Sequence, residues 1–155
     1  TSVGKYPSEC VSFLKSIAKK TEKFRTLGYE ENFKPNSDWQ HIGVAAKNLA
    51  ESINADGIIA ITRTGKTANY ISNSKPNGIP IFTFTGNKKT LNQLSLIGST
   101  IPFYLSNLSN HEKTLINVSK IIKKFYGKNK KSLKFIMVSS IFSEEHSEAI
   151  QIINI

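Results

Sequence analysis

The chain has 155 residues, 39% of them apolar and 21% charged, with 21 Lys plus Arg against 11 Asp plus Glu and a formal charge of +10. That size holds one domain with a real core, or one domain with an appendage, and the apolar content excludes a wholly disordered chain. No apolar stretch is long enough to span a bilayer, no charged segment followed by an apolar run opens the chain, and a single cysteine, Cys10, excludes an internal disulfide or a cysteine metal cage, so a soluble, cytoplasmic protein is the expectation, with an organelle left open.

The basic balance invites a nucleic-acid reading, but its make-up argues against one. Only Arg25 and Arg63 are arginine, and the other 19 basic residues are lysine. Arginine is the better residue for bidentate phosphate or base recognition. Lys, Asn and Ile together make 53 of the 155 residues, a bias of composition rather than a polyanion-binding design. The densest basic stretch, residues 120–134, reads as a solvated helix face and a polar turn.

In chain order, Tyr6-Pro7-Ser8-Glu9 opens a first helix, with Val11, Leu14, Ile17 and Ala18 as its apolar stripe to about Lys23. Residues 25–37 carry Gly28, Asn32, Pro35, Asn36 and Ser37 and read as a linker. From residue 38 the pattern is regular. Ile42, Ala45, Ala46, Leu49, Ala50 and Ile53 predict one face of a helix. Residues 57–62 are a continuous apolar run, as in a buried parallel strand. Residues 67–74 form a short helix, 79–85 a second strand, 88–96 a short helix, and a third strand lies around 103–105. Ser109-Asn110-His111-Glu112 fits a capping box, followed by a helix with Leu115, Val118, Ile122 and Phe125 on its apolar face and Gly127 as its stop. Residues 134–138 and 149–155 are the last two strands, and the short link between them predicts an antiparallel pair. The fold class is therefore α/β: a three-layer α/β/α sandwich with a five-stranded, mostly parallel sheet and an antiparallel last strand.

Ligands of such sheets bind beyond the carboxyl ends of the strands. Thr62-Arg63-Thr64-Gly65-Lys66-Thr67 sits at one such end. Its hydroxyls, two cations and a glycine precede a helix N-terminus, whose free N–H groups attract an anion. The bland alternative is an ordinary strand-to-helix turn. The segment also imitates a P-loop, but Ala60 stands where the first glycine is needed and no strand ends in an Asp for Mg²⁺. His41, His111 and His146 are scattered, Glu144-Glu145-His146 reads as a solvated turn, and Ser8, Ser95 and Ser140 lack a nucleophile-elbow setting. No catalytic set emerges, and no metal site.

Residues 42–105 resemble the C-terminal domain of pyruvate kinases. The resemblance is carried by Val44-Ala45-Ala46, Thr62-Arg63-Thr64-Gly65-Lys66-Thr67-Ala68, Ser74-Lys75-Pro76, Pro80-Ile81-Phe82-Thr83-Phe84-Thr85, and the run from Asn87 and Thr90 through Leu94-Ser95-Leu96 to Pro102. Thr1-Ser2-Val3-Gly4-Lys5-Tyr6-Pro7 is similar to the segment that starts the last helix of the family's catalytic barrel. The resemblance implies three parts. Residues 1–24 would be the final helix of a missing TIM barrel, 25–37 the linker, and 38–155 the regulatory C-terminal domain. It further implies a domain that is non-catalytic by itself. The partners would be its own barrel and further copies in a tetramer, with no nucleic acid and no membrane. Mg²⁺ and K⁺ are expected only for the intact enzyme, which transfers phosphate from phosphoenolpyruvate to ADP.

Thr62, Arg63, Thr64 and Thr67, with Gly65 and Lys66 between them, would line a pocket for one phosphate of a sugar-phosphate effector such as fructose 1,6-bisphosphate. The loop at 140–148 departs from the family pattern: it has no glycine and three carboxylates, which repel a second phosphate. The basic stretch at 120–131 would have to substitute. Competing readings are a stand-alone phosphometabolite-binding domain, a P-loop-like NTPase and a nucleic-acid binder.

Overall fold

A computed structural model of the chain describes residues 3–21, 33–106, 108, 110–127, 132–139 and 149–155. It divides into two compact units, Thr1–Lys34 and Pro35–Ile155. In the first, helix α1 (Pro7–Thr21) starts with proline in its first turn, where the missing N–H costs nothing, and carries Glu9 at its positive end. None of its residues is buried. The expected end near Lys23 and much of the linker fall outside the described residues.

The second unit runs α2 (Asp38–Ser52), β1 (Gly57–Ile61), α3 (Lys66–Asn73), β2 (Ile81–Thr85), α4 (Lys88–Leu94), β3 (Thr100–Tyr104), α5 (His111–Tyr126), β4 (Lys134–Ser139) and β5 (Ala149–Asn154). The strands form one sheet in the order β3-β2-β1-β4-β5. The first four are mutually parallel, and β5 returns antiparallel to β4. The five-stranded α/β/α sandwich expected from the sequence is the fold.

Every residue of β1 and β2 is buried, which is why these strands read as apolar runs rather than as alternations. On one face, Ile58, Ala60, Ile81, Ile136 and Val138 meet Ala46 and Ala50 of α2, Ala68 and Ile71 of α3, and Leu94 of α4. On the other, Ile59, Ile61, Phe82, Phe84, Phe135 and Met137 meet Val118 and Ile122 of α5. Phe82 anchors that layer, edge-on to Phe135 at 5.8 Å and to Phe125 at 5.2 Å.

Several details differ from the sequence pattern. Ala45 is exposed, and Gly43 takes its place on the buried face of α2. A Cβ at Gly43 would lie 2.8 Å from the carbonyl oxygen of Tyr70, so glycine permits the close approach of α2 and α3. The cap of α5 is Asn110, whose side chain accepts the Lys113 N–H at 2.9 Å. That moves the helix start one residue from the capping-box register, in which Ser109 was the cap. Phe125 is half exposed, and the fully buried α5 positions are Thr114, Val118 and Ile122. The third strand begins at Thr100 and contains Pro102, tolerated because β3 is an edge.

Candidate functional site

The strand order places the candidate loop at the point where the sheet reverses direction. From β1 the chain moves outward through α3, β2, α4 and β3, then crosses back so that β4 pairs with β1 on its other side. Helices α3 and α5 therefore lie on opposite faces, and the carboxyl ends of β1 and β4 form the switch point beyond which such sheets bind ligands. Residues 62–67 occupy that end of β1.

The loop is braced from within. Thr62 is buried, and its Oγ1 accepts the Gly65 N–H at 2.9 Å. Gly65 turns the chain with φ +85°, a left-handed conformation that side chains disfavour, and stands at the N-cap of α3. From outside, Thr90 of α4 donates its hydroxyl to the Arg63 carbonyl at 3.0 Å. Thr90 is itself held by Asn87, whose Oδ1 accepts the N–H groups of Lys89 and Thr90 at 2.8 and 3.2 Å. Thr90 and Leu94 lie beneath Gly65.

What this leaves free is suited to an anion. The first helical bond of α3 runs from Asn69 N–H to the Gly65 carbonyl at 3.0 Å, so the N–H groups of Lys66, Thr67 and Ala68 have no backbone acceptor among the described residues. No acidic residue occupies the first turn of α3. Arg63, Thr64 and Lys66 are exposed, Thr67 is buried, and neither cation has a carboxylate partner among the described residues. The six sequence-predicted residues are thus brought to one turn, but with unequal parts. The lone pairs of Thr62 serve the loop, leaving its hydroxyl hydrogen to donate. Arg63, Lys66 and the free amides supply the positive field.

Ala60 lies within β1 and is fully buried, so it provides no turn of the P-loop kind. Part of the lysine stretch stands away from this loop. The Tyr126 hydroxyl at the end of α5 donates to the Asp56 carbonyl, which precedes β1, at 2.7 Å. Lys123 and Lys124 in the last turn of α5 therefore sit toward the amino end of the sheet, about 16 Å of strand away from the loop. Lys128, Lys130 and Lys131 lie outside the described residues. So does the segment 140–148, with Ser140, Glu144, Glu145 and His146. Its flank Ser139 is in register with Ile61, next to the candidate loop. Ser8 lies in the first turn of α1, Ser95 caps the end of α4, His41 lies in the first turns of α2, and His111 starts α5. Among the described residues no group of three His, Cys, Asp or Glu side chains comes together. Among the described residues, no helix is long and apolar enough to cross a membrane.

The family described as "Pyruvate kinase, alpha/beta domain" matches residues 40–153. The pyruvate kinase of Thermotoga maritima is 38% identical over 107 residues, covering 66% of this chain and 22% of that protein. Pyruvate kinase 2 of Synechocystis sp. is 30% identical over 122 residues, covering 77% of this chain and 20% of that protein. A solved Cryptosporidium parvum pyruvate kinase, in complex with ADP, shares the fold with a TM-score of 0.74 at 20% identity, over 98% of this chain and 31% of that one. The chain spans about a fifth of the length of the curated relatives it matches. With the family matched over most of its length and the same α/β fold in a solved member, the chain belongs to the pyruvate kinase alpha/beta domain family.

Proposed function

We propose that this chain is the regulatory C-terminal part of a pyruvate kinase, the glycolytic phosphotransferase. It serves as a phosphate-binding and assembly domain with no turnover of its own. The observation that carries the reading is the braced turn at 62–67: amides at the start of α3 with no backbone acceptor among the described residues, with Arg63 and Lys66 beside them, at the reversal point of the sheet. One phosphate of a sugar phosphate fits that chemistry.

The second phosphate of a bisphosphate finds less support. Lys123 and Lys124 of α5 stand toward the far end of the sheet, and the sequence of residues 140–148 holds three carboxylates and no glycine. The domain therefore discriminates little between a sugar monophosphate and fructose 1,6-bisphosphate. Calorimetry tests this with inorganic phosphate, fructose 6-phosphate and fructose 1,6-bisphosphate. Arg63→Ala removes a charge-assisted contact of about 1.5–3 kcal/mol and weakens each ligand by about 10- to 100-fold. Tight bisphosphate binding that survives Arg63→Ala refutes the reading.

Assembly is supported by the sheet edges. The β3 edge is blunted by Pro102, whereas β5, Ala149-Ile150-Gln151-Ile152-Ile153-Asn154, has no proline and no charge, and Ile152 is half exposed. A second β5 laid antiparallel satisfies that edge in a two-fold contact. Sedimentation should give a dimer that Ile152→Lys dissociates. A monomer at all concentrations refutes this arm alone.

A further inference from the structure

The connection between α3 and β2 carries a chemical feature that the anion-binding reading does not use. The chain has 14 asparagines, and one of them, Asn77, is followed by glycine. Both Asn77 and Gly78 are exposed. Gly78 has φ +68°, and nothing lies within 4 Å of where a Cβ would stand. Among the described residues its N–H has no hydrogen-bond partner. The Asn77 N–H donates to Glu51 Oε1 of α2 at 3.0 Å, tying this loop to the neighbouring helix.

We propose that Asn77-Gly78 is a site of spontaneous deamidation in the folded chain. The Gly78 backbone nitrogen, as it loses its proton, attacks Asn77 Cγ. The new N–C bond closes a five-membered imide, the Cγ–Nδ2 bond breaks, and ammonia leaves with the proton. Water then adds to one of the two imide carbonyls and opens the ring to aspartate or isoaspartate. The net reaction consumes one water and releases one ammonia, with no oxidant or reductant.

Three features favour this position over other asparagines. Glycine places no Cβ in the path of the attacking nitrogen. The Gly78 N–H is in no hydrogen bond with the described residues, so none of theirs is broken when it reacts. The exposed turn is outside the helices and strands, so Asn77 can turn its side chain back onto the chain. Asn73, by contrast, ends α3, and the N–H of the following Ser74 is bonded to the Tyr70 and Ile71 carbonyls at 3.2 Å. The product has a consequence for packing. A carboxylate at position 77 faces the Glu51 carboxylate that now accepts its N–H, and like charges repel. Isoaspartate adds a methylene to the backbone as well. The tie between α2 and the α3–β2 connection is lost.

The test is ageing of the intact chain in warm, mildly alkaline buffer. The readouts are peptide mapping by mass spectrometry, isoaspartyl methyltransferase labelling and ammonia release. Asn77 should convert at least about tenfold faster than Asn36 and Asn73, and Gly78→Ala should slow it by a similar factor. Because Gly78→Ala strains the turn, Asn77→Gln is the second variant. It leaves the backbone bond to Glu51 in place and should abolish the early acidic species on ion exchange. Conversion of Asn77 no faster than that of Asn36 and Asn73, or an early acidic species that persists in Asn77→Gln, overturns the proposal.

Discussion

Gly43→Ala sets two opposite effects against each other at one atom. In a helix interior, alanine is favoured over glycine by about 1 kcal/mol, because glycine loses more backbone entropy. At position 43 the added Cβ would stand 2.8 Å from the Tyr70 oxygen and 3.0 Å from the Tyr70 carbonyl carbon. Both atoms are backbone of α3, so no side chain can rotate away and α3 itself must move. Overpacking of this kind costs about 1–3 kcal/mol. The shift also stretches the bond from Ser74 Oγ to the Gly43 carbonyl, already 3.3 Å long, at a cost of up to about 1 kcal/mol. At the middle of these ranges sterics win, and the net loss is about 1.5 kcal/mol, a fall in Tm of about 3–6 °C. The reporter is local. Trp39, the single tryptophan, stacks on Tyr70 at 6.5 Å, one helical turn from Gly43. Urea titration followed by circular dichroism and by Trp39 fluorescence should give a lower midpoint, with native emission shifted to the red. A variant as stable as the parent, with unchanged emission, refutes the α2–α3 spacing on which the argument rests.

Thr83→Val should stabilise the fold. The Thr83 hydroxyl lies at 0% exposure in β2 with no hydrogen-bond partner among the described residues, so replacing it by a methyl of the same shape recovers about 1 kcal/mol, read as a higher thermal midpoint. A clear loss of stability would mean the hydroxyl is paired. Thr90→Val removes the donor that pins the Arg63 carbonyl and should weaken phosphate binding several-fold while changing the thermal midpoint little, since α4 keeps its Asn87 cap. Equal affinity in calorimetry would show that the loop holds its shape without α4. Asn110→Ala strips the cap of α5 and should cost about 1 kcal/mol in urea denaturation. No loss would return the cap to the capping-box register.

Much of the fold was legible because its signals are local. Isoleucine-rich runs bounded by turn residues marked β1 and β2, and the glycine at 127, in the left-handed half of the map at φ +76°, marked the end of α5. The cluster at 62–67 was legible as an anion-binding sequence because cations, hydroxyls and glycine adjoin at the end of a strand. Thr90 was missed as a brace. The spacing of Asn87 and Thr90 was visible as a family run, but its role depends on a contact 27 residues back in the chain. The helix face was misjudged at one step, since Ala45 and Gly43 differ by half a turn and only the approach of α3 decides which is inside.

By itself, then, the sequence determined the order and type of the elements, the family and the residues at the end of β1, since periodicity, turn chemistry and short motifs are read within a few residues. Only the tertiary structure decided that β4 pairs with β1, which makes the end of β1 a reversal point, and that Lys123 and Lys124 of α5 stand toward the other end of the sheet. That choice is settled by which apolar faces can be buried together across long stretches of chain, and no local pattern encodes it.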